Sequence, residues 1–70
     1  MQKITSFSFD NYINAYIVNT QTSRYEILPT QITKGNLRIG RYIHKFIEGK
    51  TIKFNIYTIA EHKKIMGQQK

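Results

Sequence analysis

Residues 35–50 read GNLRIGRYIHKFIEGK, and whether that stretch is helix or strand decides the fold. Leu37, Ile39, Ile43, Phe46 and Ile47 share it with Arg38, Arg41, Lys45 and Lys50. Read as a strand, the odd positions from Leu37 to Ile47 form one face, and Arg41 and Lys45 interrupt it. Read as a helix, Ile39, Tyr42, Ile43, Phe46 and Ile47 fall on one stripe, with Arg38, Arg41, His44, Lys45 and Glu48 opposite. Asn36 stands where an N-cap belongs, and Gly49 where a left-handed residue closes a helix. Against this, Gly40 costs about 1 kcal/mol relative to alanine inside a helix. The spacing predicts a helix over 36–48.

Downstream, residues 50–58 (KTIKFNIYT) alternate, with Ile52, Phe54 and Ile56 on one face and Thr51, Lys53, Asn55 and Tyr57 on the other. This is the clearest strand pattern in the chain. Thr58 and Glu61 match a capping box, so one or two helical turns should follow, fraying over 67–70. Upstream, residues 3–9 alternate in part, with Phe7 and Phe9 on one face and Ser6 and Ser8 on the other. Asp10-Asn11 offers a turn. Residues 12–20 are β-branched and aromatic, which favours a strand, although Phe9, Ile13, Tyr16 and Ile17 also fit a helical face. Residues 21–23 read as a turn and 24–28 as a third strand ended by Pro29, which cannot donate to a ladder. Residues 29–35 read as a connection. The expected fold is a small α+β domain in β-β-β-α-β order with a short C-terminal helix, its amphipathic helix packed on an antiparallel sheet. A five-stranded OB-like barrel is the alternative if 36–48 is a strand.

Seventy residues make a single small domain over 1–70. With no cysteine and only His44 and His62 as imidazoles, neither disulfides nor a metal ligand set offers a staple; a partner or a second copy is the remaining one. No apolar run approaches the length of a membrane span, and the N-terminal residues lack a signal peptide's apolar core. Cytoplasm or an organelle matrix is the expected location.

The net charge of +7 is one-sided. Up to residue 33, Lys3 and Arg24 balance Asp10 and Glu26; from residue 34 onward nine cations face only Glu48 and Glu61. Such asymmetry points to one positive surface. Arg38, Arg41 and Lys45 share a stripe of the expected helix. Lys34, Arg38 and Arg41 crowd its N-terminal end, where cations oppose the helix dipole by roughly 0.3–1 kcal/mol each. That unfavourable placement is explained if they serve a polyanion; a merely solvated face is the alternative. Lys53 and Tyr57 project together from the strand at 50–58, so a base could stack on Tyr57 while Lys53 holds a phosphate. Otherwise Tyr57 packs under the terminal helix. Lys63, Lys64 and Lys70 extend the same charged half. Tyr12, Tyr16, Tyr25 and Tyr42 are expected as half-buried core members.

Catalysis has little support. The four acids, Asp10, Glu26, Glu48 and Glu61, are scattered. GNLRIGR has the glycine frame of a phosphate loop without the following Lys-Ser/Thr. The segment Arg41-Tyr42-Ile43-His44-Lys45-Phe46-Ile47-Glu48-Gly49-Lys50, followed by an alternating strand, resembles the central stretch of bacterial and plastid translation initiation factor one. There an Arg, an aromatic, Ile-Arg-Ile-Leu and a Gly-Asp turn precede a strand. The resemblance implies a five-stranded OB barrel bound to the small ribosomal subunit. It covers about a quarter of the chain; the family's Leu-Pro-Asn turn and Asn-Gly-His stretch are missing, and Lys50 replaces the turn acid.

The expected function is a non-enzymatic nucleic-acid-binding module, DNA or RNA, making sequence-tolerant phosphate contacts, with a ribonucleoprotein as one setting. Its expected site is Lys34, Arg38, Arg41, Lys45, Lys53, Tyr57, Lys63 and Lys64. Five or six phosphate contacts would give a log–log salt slope of roughly −4 to −5. No cofactor, metal, small-molecule substrate or membrane is expected. The alternative is a small protein-binding factor, such as a phage or plasmid inhibitor of a host enzyme, docking its basic face on an acidic partner; a homo-oligomer is also open.

Overall fold

Residues 42–48 form a strand, so the helix expected over 36–48 is absent and the β-β-β-α-β order is corrected. The computed structural model describes residues 1–67; of the tail expected to fray over 67–70, residues 68–70 lie outside the described residues. The elements are β1 (Gln2–Asp10), β2 (Ala15–Thr20), β3 (Arg24–Ile27), a 3-10 turn (Pro29–Gln31), β4 (Ile32–Lys34), β5 (Tyr42–Glu48), β6 (Thr51–Tyr57) and α1 (Ile59–Gly67). They make a small α+β domain: one six-stranded sheet in the order β3-β2-β1-β5-β6-β4, and one C-terminal helix. All neighbours are antiparallel except β4 and β6, which run parallel.

Three physical facts explain the strand at 42–48. First, Ile43, Ile47, Tyr42 and Phe46 are β-branched or aromatic, types that pack well on a pleated surface. Second, β6 offers an in-register partner: Tyr42 faces Tyr57, Ile43 faces Ile56, and pairing continues to Glu48 opposite Thr51. Third, of the two cations that interrupt the strand pattern, Arg41 precedes the strand and Lys45 costs nothing where it lies. Lys45 shares the inner face with Ile43 and Ile47, but only the Ile43 end of that face is covered, since Ile43 is 2% exposed and Ile47 is 70% exposed. Gly49 does hold a left-handed φ, of 64°. It serves not as a helix terminator but as first residue of the two-residue loop between β5 and β6, a position that demands glycine.

The segment before β5 is a loop, turned at residues 38–41 where the Arg41 N–H donates to the Arg38 carbonyl at 3.2 Å, and it is held against β1. The Ile4 N–H donates to the Arg41 carbonyl at 2.8 Å, and the Gly40 N–H donates to the Ile4 carbonyl at 2.9 Å. Gly35, with φ of 82°, passes so near the Ile56 carbonyl that a Cβ would overlap it.

The turns follow their residues. The Tyr12 N–H donates to Asp10 Oδ1 at 2.8 Å, so the expected Asp10-Asn11 turn is present but runs on to Asn14, shortening the strand expected over 12–20 to 15–20. The buried Thr20 Oγ1 accepts the Ser23 N–H at 3.0 Å and so ties the turn into β3. After β3, Gln31 clamps the 3-10 turn: its Oε1 accepts the Leu28 N–H at 2.8 Å and its Nε2 donates to the Ile52 carbonyl at 3.2 Å. The connection expected over 29–35 thus contains this turn and the short strand β4. The edge strands β3 and β4 are joined by that turn but share no ladder, so the barrel alternative is not closed.

Ile4, Val18, Ile27, Ile43, Phe54 and Ile56 form the core, with Tyr16, Tyr25, Ile32 and Leu37 packed against it. Burying each such side chain contributes about 1.5–3 kcal/mol. The radius of gyration, 12.3 Å, exceeds the roughly 11 Å of a compact chain this long. The tip of the β1–β2 hairpin carries Phe9, Tyr12 and Ile13, all exposed, so Tyr12 is not the half-buried core member expected.

Candidate nucleic-acid interface

Alternation along β5 and β6 sets two chemically different faces. The inner face carries Ile43, Phe54 and Ile56 into the core. The outer face carries Tyr42, His44, Phe46 and Glu48 from β5 against Tyr57, Asn55, Lys53 and Thr51 from β6. Three aromatic rings, an imidazole, an amide and a cation therefore share one surface. His44 is exposed, while Phe46, Lys53, Asn55 and Tyr57 are half-buried. The rings of His44 and Phe46 lie 6.0 Å apart with planes within 12° of parallel, and His44 stands 6.5 Å from Tyr57.

Helix α1 covers one end of this face. Its start is the expected capping box: the Thr58 N–H donates to Glu61 Oε1 at 3.0 Å, and the Glu61 N–H donates to Thr58 Oγ1 at 3.1 Å. The His62 ring stacks flat on Tyr42, with centroids 3.7 Å apart and planes 6° from parallel. His62 Nδ1 is buried without a hydrogen-bond partner. Lys34 Nζ sits 5.2 Å above the Tyr57 ring and 3.4 Å from Glu61 Oε2, so it ties β4 to β6 and α1 together. The Glu61 carboxyl is held below the usual carboxylate range, chiefly by the Thr58 N–H, with Lys34 adding to the effect and burial opposing it. Between helix and sheet lies a cleft of about 280 Å³, walled by His44 and Tyr57 on the sheet, Ile65 and Met66 on the helix, and Met1.

The residues expected to bind separate into four groups. Lys34, Lys53 and Tyr57 meet at the outer face. Lys53 lies 3.7 Å from Glu48, and the Asn55 amide donates to the Tyr57 hydroxyl at 3.0 Å. Lys63 and Lys64 are exposed on α1, whereas Glu61, His62 and Ile65 are half-buried. Lys45 lies on the inner face opposite Phe54. Arg38 and Arg41 belong to the loop before β5, and Arg41 Nη1 donates to the Asn36 carbonyl at 3.0 Å. With no helix at 36–48, the stripe of Arg38, Arg41 and Lys45 does not exist, and neither does the dipole argument that singled it out.

His44 and Phe46 were not among the expected contacts. On the helical reading Phe46 belonged to the buried stripe and His44 flanked the cations. A strand reading of the same residues puts both beside Lys53. Compared with family models, curated proteins and solved structures, the chain has no match.

Proposed function

We propose that the protein is a non-enzymatic nucleic-acid-binding module whose contacts are mainly to phosphates and therefore sequence-tolerant. The observation that carries this reading is the juxtaposition, on the outer face of β5 and β6, of Lys34 and Lys53 with His44, Phe46 and Tyr57, in the half of the chain that holds all the excess charge. The ion pairs of Lys34 and Lys53 do not oppose it. Each is partly exposed and worth at most about 1 kcal/mol, so a phosphate can replace the carboxylate. Lys63 and Lys64 extend the positive surface over the rim of α1.

A ribonucleoprotein setting is what the initiation-factor resemblance implies. The strand at 42–48 which that resemblance needs is present, in a sheet that stays open between β3 and β4.

The test is charge reversal by region. Lys53→Glu and the double change Lys63→Glu with Lys64→Glu should each weaken binding to RNA or DNA about tenfold or more, while Arg24→Glu on β3 should leave it within about twofold. Equal effects from all three, or material that co-purifies and survives nuclease, would replace this reading with a protein-binding one.

A further inference from the structure

We infer that the outer face of the β5–β6 hairpin is a stacking platform for unpaired bases, with the cleft beside α1 taking one base. The inference rests on the nucleic-acid reading above and names its ligand: single-stranded rather than duplex nucleic acid.

Four observations carry it. The rings of His44 and Phe46, two residues apart on one strand, are nearly parallel at 6.0 Å, so each can offer a face to a successive base. Each ring has a polar partner directly across on β6: Asn55 opposite His44 and Lys53 opposite Phe46. A base edge and a phosphate would find donors at those positions. The cleft of about 280 Å³ continues the platform from His44 past Tyr57 to Met66. It falls just under the roughly 300–1,000 Å³ of drug-sized sites, which suits one heterocycle, and its walls are the rings of His44 and Tyr57 on one side and thioether and aliphatic groups on the other. Finally, Lys34 covers one side of the Tyr57 ring, so Tyr57 serves as a wall of the cleft while Phe46 and His44 are the open rings. A duplex keeps its bases stacked inside and offers this surface only phosphates; a single strand can splay its bases onto it.

Fluorescence anisotropy with three probes decides the matter: a short oligouridylate, an abasic strand of the same length, and a duplex of the same length. The expected result is at least fivefold tighter binding of the oligouridylate than of the abasic strand. Phe46→Ala should weaken oligouridylate binding roughly 5- to 100-fold, far more than it weakens abasic binding, with His44→Ala acting in the same direction. Phe46→Tyr should retain the preference. Phe46→Leu, which keeps the apolar bulk on the sheet, should lose it, separating stacking from loss of folding. Equal binding of all three probes, with Phe46→Leu silent, would overturn the platform while leaving phosphate binding intact. No binding to any probe would overturn both.

Discussion

Gly35 and Gly40 both hold left-handed backbone, at φ of 82° and 91°, yet they should respond differently to alanine. A Cβ at Gly40 meets nothing within 4 Å, whereas one at Gly35 overlaps the Ile56 carbonyl. Gly40→Ala should cost only the strain of a left-handed residue, about 1 kcal/mol, near the low end for such conformers. Gly35→Ala adds a backbone displacement beside the core and should cost 2 kcal/mol or more by roughly the same scale. Urea denaturation of the two variants would check the order; an equal loss would show that the loop does not lie against β6. At the same site, Ile56 is 1% exposed, and Ile56→Ala should cost about 2–5 kcal/mol. That is a large share of the 5–15 kcal/mol total typical of domains, so the variant should be largely unfolded on heating only slightly above room temperature.

Helix α1 buries none of its residues, so its attachment depends on the cap, the Lys34 bridge and the ring stack on Tyr42. Thr58→Ala removes one half of the capping box and should cost about 1 kcal/mol, read as lost helical circular dichroism with the sheet signal retained. The Glu61 carboxyl adds a pH dependence. Its folded value lies below the ordinary one, so its contribution is complete above the unfolded value of about 4.3 and is lost as pH falls through the folded value. Acidification from neutral should therefore loosen α1 below about pH 4, and Glu61→Gln should flatten that response. The elements also show what can be read from residues alone. Strand β6 and the capping box were legible, because alternation and the Thr58–Glu61 spacing are local signals. Strand β5 was not, because its residues satisfy both periods. What decides between them is the partner strand β6 and the uncovered end of the inner face, neither of which is local. Gly49 shows the same ambiguity: its left-handed φ was foreseeable, but not which element it ends.

At the scale of the whole molecule, charge asymmetry was legible and its arrangement was not. Counting residues predicts five or six phosphate contacts among Lys34, Arg38, Arg41, Lys45, Lys53, Lys63 and Lys64. The fold instead disperses those cations: Lys34 and Lys53 at the aromatic face, Lys63 and Lys64 on the exposed surface of α1, Lys45 on the other side of the sheet, and Arg38 and Arg41 in the loop before β5. Fewer cations can then serve one strand at once, three or four rather than six, and the expected slope falls accordingly. The direct measurement is oligouridylate affinity against salt concentration. The account predicts a log–log slope of about −2 to −3, from roughly 0.7 per phosphate contact on single strands. A flat dependence, or no binding at low salt, would contradict it.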